Sequence, residues 1–345
     1  MLAIGGVTNA PVSVARSWQH VIGDHVIALA WSPRGDMLAA GSISGNVSIF
    51  DAQDGTLRHS LAAHAFGLTA LAWRPGASQF ATGGQDGKVR LWDADNAHQN
   101  ACLEGGGAWV EHLAWRSDAN ELASAAGKIL RLWRSNGSLL CSHVAHPSTI
   151  ADIKWVPGKD EVAAACYGGL ICWSSDRDKP LRKFSYKGSL LTTAWSPNGK
   201  FVAAGNQDST IHLWVVETGK DLYMSGYPTK IRELSWHSSS RYLATGGGSS
   251  VVVWDFAGKG PAGSRPISLE HHQKFLTQLV YQNFGEILAS GCEDGVVALW
   301  HPTTKAPLLT SLRLRAPVAQ LAWSPDDRAL AVGAADGLVT VLRVF

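Results

Sequence analysis

The stretch AWRPGASQFATGGQDGKVRLWD, residues 72–93, decides how the whole chain reads. It opens on Trp73, turns at Arg74-Pro75-Gly76, runs on through Phe80 and Ala81, turns again at Gln85-Asp86-Gly87 and closes on Leu91-Trp92-Asp93. Its first half is matched by Ala30-Trp31-Ser32-Pro33. Tryptophan then returns at Trp115, Trp155, Trp195, Trp236 and Trp323, with Tyr281 in register between the last two, at steps of 40 to 45 residues. A second marker follows each by about nineteen residues: Phe50, Trp92, Trp133, Trp173, Trp214, Trp254, Trp300 and Leu342. Thirteen of the fifteen tryptophans fall into these two registers, so Trp18 and Trp109 need separate explanations.

A fixed period of this length marks a repeat architecture. Each unit reads as strands. Val26 to Trp31 is a short apolar run, Ser32 to Gly35 a turn, and Met37 to Gly41 the next run; a Gly-containing turn then leads to Asn46 through Phe50. Turn residues at such short spacing, with little 3.6-residue periodicity, favour hairpins over helices. Near-continuous apolar runs suit strands covered on both faces.

Leu91-Trp92-Asp93, Trp254-Asp255, the turns Gln85-Asp86-Gly87, Glu293-Asp294-Gly295 and Ala335-Asp336-Gly337, and the pairs Ala63-His64, Ala145-His146 and His271-His272 together resemble the WD-repeat β-propeller family over essentially the whole chain. The resemblance implies an all-β fold, a single domain over residues 1–345. Eight marker pairs predict eight four-stranded antiparallel blades, with seven blades as the alternative; a seven-bladed ring would leave one unit unpaired. Unit 8 ends after its third strand, so Val12 to Val21 is expected to supply the fourth and close the ring. Trp18 then packs the closing sheet. Ala257 to Pro266, rich in Gly, Pro and cations, is the one long insertion and reads as an exposed loop.

The resemblance also implies a buried network of His, Ser or Thr, turn Asp and Trp. Two units match it fully: His64, Thr82, Asp86 and Trp92, and His272, Ser290, Asp294 and Trp300. A buried carboxylate needs donors on every side, which such a chain supplies. Elsewhere Tyr186 replaces the His paired with Asp208, Tyr167 replaces the Asp paired with His146, and Ser44, Gly127 and Gly248 occupy the Asp position. Units 1, 3 and 6 are therefore expected to rely on apolar packing.

Composition removes other classes. The chain is 46% apolar with a net charge of +2, which gives no electrostatic case for nucleic acid or an anionic membrane. Five cysteines without a CxxC pair fit a reducing compartment, and Met1 to Pro11 lacks the form of a signal peptide, so a cytoplasmic location is expected. Gly83-Gly84-Gln85-Asp86-Gly87-Lys88 lacks the Ser or Thr and the helix of a phosphate loop. Cys141, His143 and His146 are the best-spaced metal-ligand candidates, and a metal-handling propeller is the alternative function. The alternative for these residues is a repeat-position histidine beside a small buried cysteine. No nucleophile elbow or catalytic cysteine signature occurs, so an enzyme with a pocket on the propeller face ranks third, and no cofactor is expected.

The resemblance implies a rigid platform for a protein or peptide, presented by the loops into each innermost strand and the turns between second and third strands. Register places His25, Trp109, Lys187, Lys230, Phe275 and Arg315 in those loops and Gln85, Gln207 and Glu293 in the turns. Trp109 is the sharpest signal, because the repeat does not require tryptophan there; a plug over the channel mouth or between two blades is its competing reading. An acidic partner would suit the three cations. The chain itself is expected to be monomeric.

Overall fold

The computed structural model describes residues 12–144, 146–257, 261 and 263–345. Met1 to Pro11, Ala145 and part of the Ala257 to Pro266 insertion lie outside the described residues. Every strand pair is antiparallel, and no helix occurs among the described residues. Unit 2 shows the plan. Leu68–Trp73 lies innermost, followed outward by Gln79–Gly84, Lys88–Asp93 and His98–Glu104. The second and third strands are buried on both faces because each blade is packed between two neighbours, which explains their lack of alternation.

Hydrogen bonding divides the ring into seven sheets, six of four strands and one of six. This corrects the expectation of eight separate four-stranded blades. The six-stranded sheet carries units 4 and 5. In it, Val162–Trp173 turns back at Gly168 and Gly169, whose φ values are +92° and +124°. Its first half pairs with Asp152–Trp155 and its second half with the start of Arg182–Trp195. That last strand pairs with unit 4 as far as Ser189 and with unit 5 from Leu190 onward. The merger has a local cause: Tyr186-Lys187-Gly188 stays extended where other units bend out of the sheet. The Tyr186 ring lies so close to Gly188 that a Cβ there would sit 2.4 Å from it.

Merging leaves no unit unpaired. Innermost strands surround the axis in eight positions, the fifth formed by residues 190–195. Apolar clusters fill all eight junctions between successive units, including that between units 4 and 5, where Ala163, Leu170 and Cys172 meet Leu190, Trp195 and Trp214. The six-stranded sheet is thus continuous in hydrogen bonds but packs as two layers.

First-register tryptophans stitch these junctions. The indole of Trp73 donates to Ala30 O at 3.0 Å, and Trp115, Trp155, Trp236 and Trp323 likewise donate to Ala72, Ala114, Ala194 and Val280. Trp31 donates to Ala322 O at 2.9 Å and so joins the first unit to the last. Trp195 is the exception, its Nε1 buried and unpartnered.

Closure follows the sequence expectation. Val14–Val21 pairs antiparallel with Leu338–Val344 as the outer strand of the last sheet. Trp18 is buried among Phe50, Trp31, Val339 and Val341, and its indole donates to Ala52 O at 3.1 Å. It packs the closing seam.

Candidate binding face

The rim register has a physical counterpart. In five units the turn between second and third strands donates a backbone N–H to the loop before the inner strand. Ile43 donates to His25, Gln85 to Gly67, Gln207 to Ser189, Glu293 to Phe275 and Ala335 to Pro317, at 2.9 to 3.1 Å. Loop and turn are thereby locked together by backbone hydrogen bonds, which fixes the rim. His25 and Gln85 are half-buried in this rim; Lys187, Gln207, Lys230, Glu293 and Arg315 are exposed. Trp109 is 53% exposed and Phe275 49%.

Two of these nine residues meet in one cavity. Trp109 and Gln85 line a space of about 480 Å³ at the channel mouth, together with Ile43, Glu111, Thr149 and Arg232. Trp109 is half exposed at the wall of this cavity. Glu111 and Arg232 are contacts that sequence reasoning missed. Both stand four residues before a first-register marker, a position uncharged in the other six units, so the signal was present as a departure from the repeat.

Below the mouth the channel continues as a space of about 460 Å³ that also touches His112 and Arg232. Its charges are largely satisfied. Lys154 donates to Asp152 at 3.0 Å, and the second Asp152 oxygen accepts from the Thr193 backbone N–H at 2.8 Å and hydroxyl at 3.1 Å. Burial holds His112 below its ordinary pKa. Burial also pushes the Glu233 carboxyl upward, opposed by backbone N–H donors.

Two units carry the full residue set of the buried network. In unit 2 Trp92 donates to Thr82 Oγ1 (2.9 Å), Thr82 bonds His64 Nε2 (2.9 Å), and His64 Nδ1 reaches Asp86 (2.9 Å), as the sequence implies. Unit 7 departs from the expected chain. Trp300, Ser290 and His272 connect at 2.7 and 2.6 Å, but His272 Nδ1 meets Cys292 Sγ at 3.1 Å, and that thiol donates to Asp294. The equivalent position in unit 2 is Gly84, where a Cβ would lie 2.1 Å from His64 Nδ1. The side chain of Cys292 is what separates histidine from aspartate. Unit 6 also differs from the expected apolar reliance: Trp254 donates to Tyr227 OH at 2.8 Å, and Tyr227 bonds Thr245 at 2.9 Å.

Of the candidate metal set, the structure brings together Cys141 and His143, with Sγ 3.4 Å from Nε2, while His146 is engaged elsewhere. Trp173 donates to His146 Nε2 at 3.0 Å, and His146 Nδ1 donates to Lys128 O at 3.0 Å, so neither nitrogen is free. His143 stacks on Trp173 with centroids 4.3 Å apart, and its Nε2 bonds Ser174 O at 3.2 Å. No group of three or more His, Cys, Asp or Glu able to hold a metal occurs among the described residues.

Comparison with known proteins agrees with the fold. The family model for the WD domain, G-beta repeat matches residues 55–93, 178–215, 221–255, 263–301 and 308–341, more than half of the chain. That of the anaphase-promoting complex subunit 4 WD40 domain matches 11–73. Similar curated proteins include Protein HIR1 of Cryptococcus neoformans, 28% identical over 192 residues, with 47% of this chain and 21% of that protein covered. The U3 small nucleolar RNA-associated protein 15 homolog of Xenopus laevis is 30% identical over 146 residues, covering 42% of this chain and 28% of that protein. The chain thus spans under a third of the length of these relatives. Among solved structures, the computationally designed Ika8 protein superimposes with a TM-score of 0.81 at 24% identity, covering 94% of this chain and 97% of its own, a likeness of fold. The repeats, their register and the matched segments together show that the chain belongs to the WD40 repeat family.

Proposed function

We propose that this propeller is a non-catalytic platform that binds a protein or peptide at the channel mouth. A WD40 scaffold is consistent with protein interaction. The observation that carries the specific reading is Trp109. It falls outside both tryptophan registers, is half exposed, and walls a cavity on a rim whose loops are tied by backbone hydrogen bonds. Aromatic side chains held rigid beside a concavity are typical interface anchors. Lys187, Lys230 and Arg315 extend the face as exposed cations, while His25, Gln207, Phe275 and Glu293 complete its rim. The near-neutral net charge favours a protein over nucleic acid as the ligand. All five cysteines are free, which supports a reducing compartment such as the cytoplasm. No helix among the described residues is long and apolar enough to cross a membrane.

Affinity capture from the native cell tests this reading. Wild-type protein is compared with the double variant Trp109→Ala, Lys230→Glu, both checked for identical thermal unfolding. Partners absent only from the variant are expected. The same partners retained at the same level would remove the channel mouth as the binding face.

A further inference from the structure

Glu111 and Arg232 line the cavity that Trp109 walls, one on unit 3 and the other on unit 6. Three steps apart round the ring, they stand on different sides of the mouth. Both are exposed, and neither forms an ion pair among the described residues. The neighbouring channel charges behave otherwise, since Lys154 and Asp152 satisfy one another. The mouth therefore carries one negative and one positive wall, both open to a ligand. The negative wall shares its cavity with an aromatic face, since Trp109 and Glu111 line the same space. Indole and carboxylate together favour a cation. The positive wall has Lys230 two residues before Arg232 on the exposed rim, and a guanidinium favours a carboxylate.

We propose that the mouth selects a peptide segment bearing both charges, with a basic side chain seated between Trp109 and Glu111 and an acidic side chain against Arg232. This inference rests on the binding reading above and names the chemistry of its ligand. A purely acidic segment, which the rim cations alone would favour, leaves Glu111 opposed by like charge. Juxtaposed like charges act against wrong partners, so the two walls would set specificity and orientation together.

The test uses four synthetic ten-residue peptides on one apolar background, carrying a Lys and an Asp five positions apart, the Lys alone, the Asp alone, or neither. Each is titrated calorimetrically into wild-type protein and into Glu111→Gln, Arg232→Gln and Trp109→Ala. The doubly charged peptide is expected to bind at least about ten-fold more tightly than either singly charged one, the scale of a charged hydrogen bond. Glu111→Gln should erase only the advantage of Lys, and Arg232→Gln only that of Asp. Equal affinities for all four peptides, indifference to both glutamine variants, or no binding of any peptide would overturn the proposal. If wild type binds without charge preference and Trp109→Ala weakens all four alike, the binding face stands and this inference fails. If Trp109→Ala changes nothing, the face fails as well.

Discussion

Gly84 and Cys292 occupy one position in two units, and the difference of a single side chain rearranges a buried network. With no Cβ, Gly84 lets His64 reach Asp86 directly; Cys292 places its thiol between His272 and Asp294. Gly84→Ala is therefore expected to destabilise the protein by about 2 kcal/mol, since the new carbon would lie 2.1 Å from His64 Nδ1 and break the link to Asp86. An unchanged denaturant midpoint would contradict this. Burial, aided by nearby His271, pushes His272 down to about 4 from its ordinary 6.5, and burial lowers His64 too. Between those pH values the unfolded chain binds more protons than the folded one, so stability rises with pH. The contribution is complete above pH 6.5 and is lost as pH falls toward about 4. Each such histidine adds a slope approaching about 1.4 kcal/mol per pH unit within its window. Equilibrium unfolding across that range should show the slope, and His272→Gln should reduce it. The residue types of both networks were legible in the sequence. The inserted thiol was not, because its effect depends on the distance between a side chain and a ring that only the folded strand sets.

The inner strand is the element on which assembly depends. Six first-register tryptophans each donate to a carbonyl of the preceding unit, and Trp195 does not. Phenylalanine at either kind of site removes a similar apolar surface. Only at Trp73 does it also leave Ala30 O without its donor. Trp73→Phe should therefore cost about 1 kcal/mol more than Trp195→Phe, the net worth of a typical internal hydrogen bond. Equal losses in chemical denaturation would show that the staples contribute packing alone. The tryptophan register revealed where these strands lie but not what the indole nitrogen does, since its partner sits one unit back. Marker spacing held more than the round figure of nineteen conveyed. Trp115 to Trp133, Trp155 to Trp173 and Trp236 to Trp254 are eighteen residues apart, so these units have a turn one residue shorter and no turn Asp. The extended Tyr186-Lys187-Gly188 link, which joins two units into one sheet, left no comparable mark, because loop and strand differ there only in backbone direction.

At the scale of the molecule, the ring is closed by a strand from one end of the chain pairing with a strand from the other. Trp18 fills that seam, and Gly55 packs so tightly against it that a Cβ there would lie 2.5 Å from the indole. Trp18→Ala should cost roughly 3–5 kcal/mol, as for other large buried aromatics. It should lower the unfolding temperature without shifting the spectrum of the folded state; a loss below about 1 kcal/mol would show that the seam does not depend on this residue. Closure shows in the structure as the pairing of Val14–Val21 with Leu338–Val344. The proposed binding face was readable only in part: the rim loops followed from register, whereas the cavity lined by Trp109, Glu111 and Arg232 requires units distant in sequence to converge on the axis.

The same convergence gives the molecule two distinct ends. Trp109 stands where chain enters an inner strand, and Phe284 stands beyond the end of another, in the turn after Leu276–Tyr281, 80% exposed. A photo-crosslinking phenylalanine analogue placed at position 109, and in a parallel sample at position 284, compares the two ends in the native cell. Discrete protein adducts are expected from position 109 and none from position 284. Adducts from position 284 alone would contradict the assignment of the channel mouth as the binding face.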